Sequence, residues 1–149
     1  MGQKDESTAG QANSPYRLQE QVGFVLRLAG QRHAAIFQAS APRNLTPTQF
    51  TAVVKLLQLG ECSQNELGRQ TAMDVATIKG VIDRLGRKGL VEVSPDPNDK
   101  RRSLLRPTET AQELRNTLYE TGQQISEDTL QPLSDSERET LLKLLTKIT

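Results

Sequence analysis

Hydrophobic side chains recur at helical spacing over residues 17–38 and fall into two neighbouring stripes. Steps of three, four or seven residues place the members of a stripe on one side of a helix. Two adjacent stripes make an apolar face wide enough for burial against more than one surface. We therefore predict a long helix here, which ends before the proline in residues 39–44. The stripes consist of Leu18, Val22, Val25, Ala29 and Ile36, and of Phe24, Leu28 and Ala35.

Capping patterns predict the next two helices. Residues 46–49, TPTQ, offer a threonine N-cap, a proline at the first helical position and a glutamine that can close a capping box. The apolar sequence that follows stops at Gly60, a residue well suited to end a helix. Residues 63–66, SQNE, form a second potential capping box and predict a short helix.

A turn at residues 71–73 and a longer helix follow. Asp74 is predicted to cap this helix, which would end at Gly89. The apolar positions of the short and the long helix predict a shared core of Leu67, Met73, Ile78, Val81, Ile82 and Leu85. The positions left on the outside of the longer helix are Val75, Ala76, Thr77, Lys79, Gly80, Asp83, Arg84 and Arg87.

The remaining residues predict a hairpin and two more helices. Short apolar segments at residues 90–94 and 103–106 flank a polar stretch with two prolines and an Asn-Asp pair, which is typical of a β-hairpin. Residues 107–132 read as one long polar helix, and a third capping box at residues 134–137, SDSE, begins a leucine-rich helix. The predicted fold is mostly α with a small β-hairpin wing, that is, a winged helix-turn-helix with additional helices.

The outward face of the longer helix suits a DNA groove. Its first half is small and nearly neutral, which permits close approach, and Ala76 or Thr77 can contact a thymine methyl group or a base edge. Gly80 is unfavourable inside a helix by roughly 1 kcal/mol relative to alanine. Its presence indicates a close neighbour, either a DNA backbone or a packed helix, and the sequence favours neither.

Positive charge is concentrated around the predicted hairpin. Lys100, Arg101 and Arg102 are adjacent near its tip, and residues 79–106 hold eight Lys and Arg against four Asp and Glu. Residues 107–149 hold four Lys and Arg against eight Asp and Glu. The formal net charge of +1 for the whole chain therefore hides a basic region and an acidic one. A local basic patch indicates a nucleic-acid face, with the wing reaching a minor groove and its phosphates. A solvated charged surface is the alternative.

Composition limits the class of protein. The 149 residues are about one domain's worth, and no apolar run approaches the roughly 18 residues of a membrane span. Residues 1–15 are polar, lack the apolar segment of a secretory signal and predict a disordered arm. A single cysteine excludes an internal disulfide, so we expect a soluble cytoplasmic protein.

Catalytic chemistry finds little support in the sequence. The only histidine is His33, and we find neither a Ser-His-Asp set nor a glycine-rich phosphate loop. His33 and the distant Cys62 cannot form a metal site, so we expect no metal, no cofactor and no enzymatic activity. We interpret Cys62 as structural.

Two segments carry a resemblance to a known family. Residues 66–93, ELGRQTAMDVATIKGVIDRLGRKGLVEV, and residues 96–111, DPNDKRRSLLRPTETA, resemble the MarR family of bacterial transcription regulators, and the similarity extends over about residues 17–149. The family's wing begins Asp-x-Arg, which Asp99 and Arg101 match. The following Leu-Thr and Gly of the family are replaced by Pro107-Thr108 and Ala111.

The resemblance implies a homodimer that reads a palindromic operator with two recognition helices. It divides the chain into the arm at 1–15, a dimerisation helix and loop at 16–45, the DNA-binding domain at 46–106 and C-terminal dimerisation helices at 107–149. Within the wing, Asp99 would hold Arg101 and so fix its guanidinium for insertion. The helix face, the charged hairpin and the resemblance together predict the DNA-binding residues Val75, Ala76, Thr77, Lys79, Gly80, Arg84, Asp99, Lys100, Arg101 and Arg102.

The family also implies a small aromatic or phenolic effector, bound between the first helix and the winged domain. An aromatic acid or its coenzyme A thioester is the candidate, because phenylalanines can enclose a ring and an arginine can pair with its carboxylate. The alternative is that the phenylalanines belong to the core and the arginines are solvated. The candidate effector residues are Phe24, Arg27, Arg32, His33, Phe37, Arg43 and Phe50.

The predicted function is that of a sequence-specific, homodimeric DNA-binding repressor that a small aromatic ligand releases from its operator. The alternative is a winged-helix module for protein contacts without specific DNA binding. Salt dependence would distinguish them, because phosphate contacts weaken steeply as salt rises.

Overall fold

The computed structural model describes residues 14–149, so nearly all of the predicted arm at 1–15 lies outside the described residues. Within that range the chain forms seven α-helices and a small three-stranded sheet. The helices are α1 (Val22–Ser40), α2 (Pro47–Leu59), α3 (Gln64–Gln70), α4 (Val75–Arg87), α5 (Glu109–Glu113), α6 (Arg115–Leu130) and α7 (Asp135–Thr146), and the strands are β1 (Cys62–Ser63), β2 (Val91–Pro95) and β3 (Ser103–Pro107). The predicted fold class, mostly helical with a hairpin wing, is confirmed.

Two helix boundaries differ from the prediction. The first helix starts at Val22 instead of residue 17, because Gln21 is extended and residues 18–20 form a separate 3-10 turn. The predicted single helix over 107–132 is wrong, since Leu114, with φ −81° and ψ −6°, separates α5 from α6. The polar sequence carries no proline or glycine at that position, so the break left no local signal.

Side-chain caps begin most of the helices. The reciprocal capping boxes predicted at Thr46 and Ser134 are both present. At residues 63–66 only half of the predicted box forms. The Ser63 hydroxyl accepts the Glu66 N–H at 3.2 Å, but the Glu66 carboxylate pairs with Arg69 and accepts the Gln70 amide instead.

The sheet has the strand order β1-β3-β2, with both pairings antiparallel. In the predicted hairpin, Val93 lies opposite Leu105. The two-residue strand β1 was not predicted, and it adds Cys62 on the other side of Leu105. It fastens the start of α3 to the base of the wing.

A continuous core joins the helix-turn-helix to the wing. Leu67 and Leu85 are fully buried, as predicted, whereas Met73 is only partly buried and packs at the edge. Fully burying a leucine stabilises a fold by roughly 1.5–3 kcal/mol, so this cluster can hold α4 in a fixed orientation. The other buried apolar side chains of the winged region are Ala52, Val53, Leu56, Leu57, Ile78, Val81, Ile82, Leu90, Val91 and Leu105.

The long first helix lies mostly outside this core. In α1 only Phe37 is buried, and in α7 no residue is. The wide apolar face predicted for the first helix is therefore largely exposed in a single chain. The exposed large apolar side chains of α1 and of the C-terminal segment are Val22, Val25, Leu26, Leu28, Leu142, Leu144 and Ile148.

Candidate DNA-binding surface and effector region

The recognition helix α4 is set in place by its cap and its buried face. The Asp74 carboxylate accepts the N–H of Thr77 at 2.7 Å, and this hydrogen bond lowers the pKa of Asp74. Ile78 and Leu85 anchor the opposite face in the core. The first turn of α4 therefore projects from the molecule on a rigid support.

The outward face of α4 is as predicted. Val75 is 69% exposed, and Ala76, Thr77, Lys79 and Arg84 are also exposed. A Cβ at Gly80 would come no closer than 3.8 Å to Arg84 Nη1, and it would meet no atom of another helix within 4 Å. Among the described residues, no neighbouring helix packs closely enough to require a glycine at this position.

The wing turn is closed by aspartate side chains. Asp99 Oδ1 accepts the main-chain N–H of Arg101 at 3.0 Å, and its Oδ2 lies 3.8 Å from Arg102 Nε. Asp96 Oδ1 accepts the N–H of Asn98 at 2.9 Å. Asp99 thus holds Arg101, as predicted, but it does so through the main-chain N–H, and the described residues show no ion pair between the two side chains. Because Arg101 follows Asp99 by only two residues, the carboxylate reaches its main chain, and Arg102 takes the second oxygen.

A small polar cavity of about 120 Å³ lies between the wing and the start of α3. Arg101 and Arg102 line one side, and the side chains of the β1–α3 junction line the other. This cavity was not predicted, and residues 63–65 were predicted only as the start of a capped helix. The cavity is lined by Ser63, Gln64, Asn65, Arg101, Arg102 and Ser103.

The predicted effector residues fall into separate contacts along α1. The Arg27 guanidinium lies 5.3 Å from the centre of the Phe24 ring, near the start of the helix. Farther along, Arg32 donates to the carbonyl oxygens of Asp128 and Thr129 at 3.0 and 3.2 Å. These latter contacts join α1 to the end of α6.

His33 also faces α6. Its Nδ1 lies 2.9 Å from the hydroxyl oxygen of Thr129. Arg32 and His33 therefore both contact the last turn of α6, whereas Phe24 and Arg27 lie about one and a half to two and a half helical turns earlier on α1.

Phe37 and Phe50 pack edge-to-face, with ring centres 5.6 Å apart and planes at 87°. Phe37 borders a cavity of about 360 Å³ between the end of α1 and the start of α2. Phe50 borders a different, open cavity of about 470 Å³ between α2 and α6. The 360 Å³ cavity, hereafter the α1–α2 cavity, is lined by Ala34, Phe37, Gln38, Ala41, Asn44, Leu45, Thr46 and Pro47.

Arg43 lies beside the α1–α2 cavity in the corner that connects the two helices. Its side chain is exposed, and its backbone is left-handed, with φ 54° and ψ 28°. The predicted effector residues thus form several contacts along α1 and α2, and of these residues only Phe37 lines the α1–α2 cavity.

Cys62 is a free, half-buried thiol at the base of the sheet. Burial raises its pKa, and the nearby carboxylates of Glu66 and Glu61 raise it further. Over residues 14–149 no group of three or more His, Cys, Asp or Glu could hold a metal ion. No helix in that range is long and apolar enough to cross a membrane.

An exposed, core-anchored helix beside an arginine-bearing β-hairpin defines a winged helix-turn-helix protein of the nucleic-acid-binding type. The family model of the MarR family matches residues 45–103. Among curated proteins, the HTH-type transcriptional repressor NicR of Pseudomonas putida is 43% identical over 143 residues, which span 95% of this chain and 90% of NicR. The chain belongs to the MarR family of winged helix-turn-helix transcription regulators.

Solved structures agree in fold over nearly the whole chain. A probable transcriptional regulator from Pseudomonas aeruginosa is 45% identical, with a TM-score of 0.86 over 89% of this chain and 100% of that one. BpsR of Bordetella bronchiseptica is 40% identical, with a TM-score of 0.84 over 91% of this chain and 97% of that one. The DNA binding of BpsR is described as regulated by 6-hydroxynicotinic acid.

Proposed function

We propose that this protein is a homodimeric transcriptional repressor that binds a palindromic operator and releases it when a small aromatic acid binds. The observation that carries the proposal is the exposed, small-residue first half of α4 beside the arginines of the wing. The similarity to NicR, a repressor, and to BpsR, whose DNA binding a hydroxylated pyridine acid regulates, supports the same function.

On DNA, α4 enters a major groove. Ala76 and Thr77 have the size and the exposure to approach base edges, and Lys79 and Arg84 lie where phosphates flank the groove. Thr77 should therefore affect sequence preference more than overall affinity, because base contacts specify and phosphate contacts position. Arg101 at the wing reaches the minor groove and its phosphates.

Two copies of the chain pair through the surfaces that one copy leaves exposed. Val22 on α1 is 66% exposed and Ile148 near the C-terminus is 65% exposed, and burying such side chains would favour association. A two-fold axis would set the two recognition helices about one turn of DNA apart, which matches a palindrome.

The effector occupies the region between α1 and the winged domain. The α1–α2 cavity, at about 360 Å³, lies within the usual range of roughly 300–1,000 Å³ for ligand pockets, and Phe37 supplies an aromatic wall. An aromatic acid suits this volume, whereas most of a coenzyme A thioester would remain outside it. Arg43, which is exposed beside this cavity, is the best placed arginine to pair with a carboxylate, because Arg27 lies ten residues before Phe37 on α1 and Arg32 already donates to two carbonyls of α6.

The salt dependence of DNA binding distinguishes this repressor from the alternative, a winged helix that contacts only proteins. Fluorescence anisotropy with DNA from the region upstream of the protein's own coding sequence should show tight binding that weakens steeply with salt. Binding to a scrambled DNA of equal length should be much weaker. Equal affinity for both DNAs, or none for either, would contradict a specific repressor.

The effector and the dimer need separate measurements. Addition of 6-hydroxynicotinic acid should lower the affinity for operator DNA, and calorimetry should show tighter binding of that acid to free protein than to the operator complex. Equal affinity in the two states would rule it out as an inducer. Light scattering should give a mass near twice the 16.5 kDa of one chain.

A further inference from the structure

Lys88 connects the end of the recognition helix to the corner between α1 and α2. Lys88 is the C-cap residue of α4, and its Nζ donates to the carbonyl oxygens of Asn44 at 2.8 Å and Arg43 at 3.3 Å. A lysine at a helix C-terminus often interacts with the carbonyls of its own helix. Here the ammonium group bonds instead to a segment 44 and 45 residues earlier in the chain.

The corner that accepts these hydrogen bonds has an unusual backbone. Arg43 and Asn44 are consecutive residues with φ of 54° and 52°, a left-handed conformation that non-glycine residues rarely adopt. In this arrangement both carbonyl oxygens lie within reach of one ammonium group. Asparagine adopts this conformation more readily than arginine, so it is at Arg43 that the surrounding contacts must hold the backbone.

The same corner borders the α1–α2 cavity. Asn44 and Leu45 both line that cavity, and Leu45 is also buried in the core of the winged domain, with 3% of its surface exposed. A molecule in the cavity would therefore contact the segment whose carbonyls bind Lys88. One residue, Asn44, belongs to both contacts.

The residues that follow α4 are also hydrogen-bonded to the start of α5. The Thr108 hydroxyl donates to the carbonyl oxygen of Gly89 at 2.6 Å, and the Thr108 N–H donates to that of Leu90 at 3.1 Å. Thr108 caps α5, where the C-terminal helices begin. Residues 88–90 are thus held between the α1–α2 corner and the start of α5, at the point where α4 passes into the wing.

We propose that Lys88 is a positioning residue that transmits occupancy of the α1–α2 cavity to the recognition helix. A molecule in the cavity displaces the carbonyls of Arg43 and Asn44 from Lys88, and α4 and the wing then leave the orientation that fits DNA. This inference rests on the proposed function, because it explains how an effector that does not touch α4 lowers DNA affinity. A ligand can act only by binding the two orientations with different affinity, and the Lys88 hydrogen bonds supply a contact that differs between them.

A double-mutant cycle tests the inference without any ligand. Ala34→Phe places a phenyl group in the cavity from an exposed position of α1, and Lys88→Met removes the ammonium group while it keeps the length of the side chain. The affinity for operator DNA is measured by fluorescence anisotropy for the wild type, both single variants and the double variant. Ala34→Phe should weaken DNA binding about tenfold when Lys88 is present and less than about twofold when residue 88 is methionine, a coupling in the ordinary allosteric range.

Two results would overturn the inference. One is an equal reduction of affinity on adding Ala34→Phe in both backgrounds, and the other is no reduction when Lys88 is present. Urea unfolding of all four proteins separates transmission from a merely structural tether, because a tether lowers the stability of Lys88→Met without changing the effect of Ala34→Phe. Where circular dichroism shows that a variant does not fold, Ala34→Leu and Lys88→Leu, which also lacks a hydrogen-bond donor, complete the same cycle.

The cycle also separates this inference from the proposed function. A wild-type protein that fails to bind its upstream DNA contradicts the proposed function and the inference together. A wild-type protein that binds that DNA but gives an additive cycle contradicts the inference alone.

Discussion

Asp99 fixes the wing through the main chain of Arg101, whose N–H it accepts at 3.0 Å, and it leaves the Arg101 guanidinium without an ion pair among the described residues. The backbone N–H of Arg102 also donates to the Asp99 carbonyl oxygen, at 2.9 Å. The carboxylate thus shapes the turn, and the arginine side chain that the turn presents is available to DNA. A carboxylate close to phosphates would also repel them, so Asp99 has two opposing effects on binding.

Replacement of Asp99 separates these two effects. Asp99→Asn keeps an oxygen that can accept the Arg101 N–H and removes the negative charge, so its DNA affinity should equal or exceed that of the wild type. Asp99→Ala loses the hydrogen bond, worth about 0.5–1.5 kcal/mol, and should bind roughly two- to tenfold more weakly than Asp99→Asn. Equal dissociation constants for the two variants in fluorescence anisotropy would show that the hydrogen bond does not orient the wing.

Arg101→Ala should weaken operator binding and leave the fold intact, because the side chain is exposed at the wing. If Arg101 neutralises one phosphate, its removal should reduce the slope of log K against log salt by about 0.9. Lys143→Ala, which removes a cation from α7, is the matched control and should change neither quantity. Unchanged affinity of Arg101→Ala at physiological salt would contradict a DNA-binding wing.

The cap of α4 should make stability depend on pH. The hydrogen bond from the Thr77 N–H lowers the pKa of Asp74 in the folded state, so this stabilising contribution is complete above the ordinary carboxyl pKa and is lost as pH falls through the lowered folded value. Asp74→Ala should therefore lower the melting temperature at neutral pH, and the difference should shrink in acid. Asp74→Ser, which restores a capping oxygen, should recover much of the stability at neutral pH. A difference between wild type and Asp74→Ala that does not change with pH would contradict this role of the carboxylate.

The Cys62 thiol should be poorly reactive in the folded protein. Burial and the carboxylates of Glu66 and Glu61 raise its pKa, so the thiol stays protonated at neutral pH, whereas the thiolate is the reactive form. A disulfide reagent such as dithionitrobenzoate should react at least about tenfold more slowly with native protein than with protein unfolded in urea. Comparable rates in the two states would overturn the interpretation of Cys62 as structural.

The exposed leucines of α7 should be required for dimer formation. Leu142 and Leu144 are 55% and 53% exposed in a single chain, and aspartates at both positions would place charge in the proposed dimer interface. The double variant Leu142→Asp/Leu144→Asp should scatter light as a 16.5 kDa monomer and lose operator binding. Lys143→Asp adds a carboxylate to the same helix at a polar position and serves as the control. A double variant that remains dimeric would place the interface elsewhere.

The sequence by itself determined the features whose interactions are local. The caps at Thr46 and Ser134 join residues three positions apart, so their side chains could be recognised directly in the sequence. The buried and exposed faces of α4 follow from the helical period of 3.6 residues, and the prolines and the Asn-Asp pair marked the wing. These elements keep the same partners in almost any context, because the partners are neighbours along the chain.

The tertiary structure alone decided the contacts between distant segments. Strand β1 is only two residues long and exists because Leu104 and Leu105, more than 40 residues later, pair with it. The distribution of the predicted effector residues over several contacts depends on how α6 packs along α1. The Lys88 hydrogen bonds depend on the left-handed backbone of residues 43 and 44, which was not predicted from the sequence. Such contacts are set by how the helices pack in three dimensions, and the positions of their partners in the sequence have no fixed spacing from which they could be predicted.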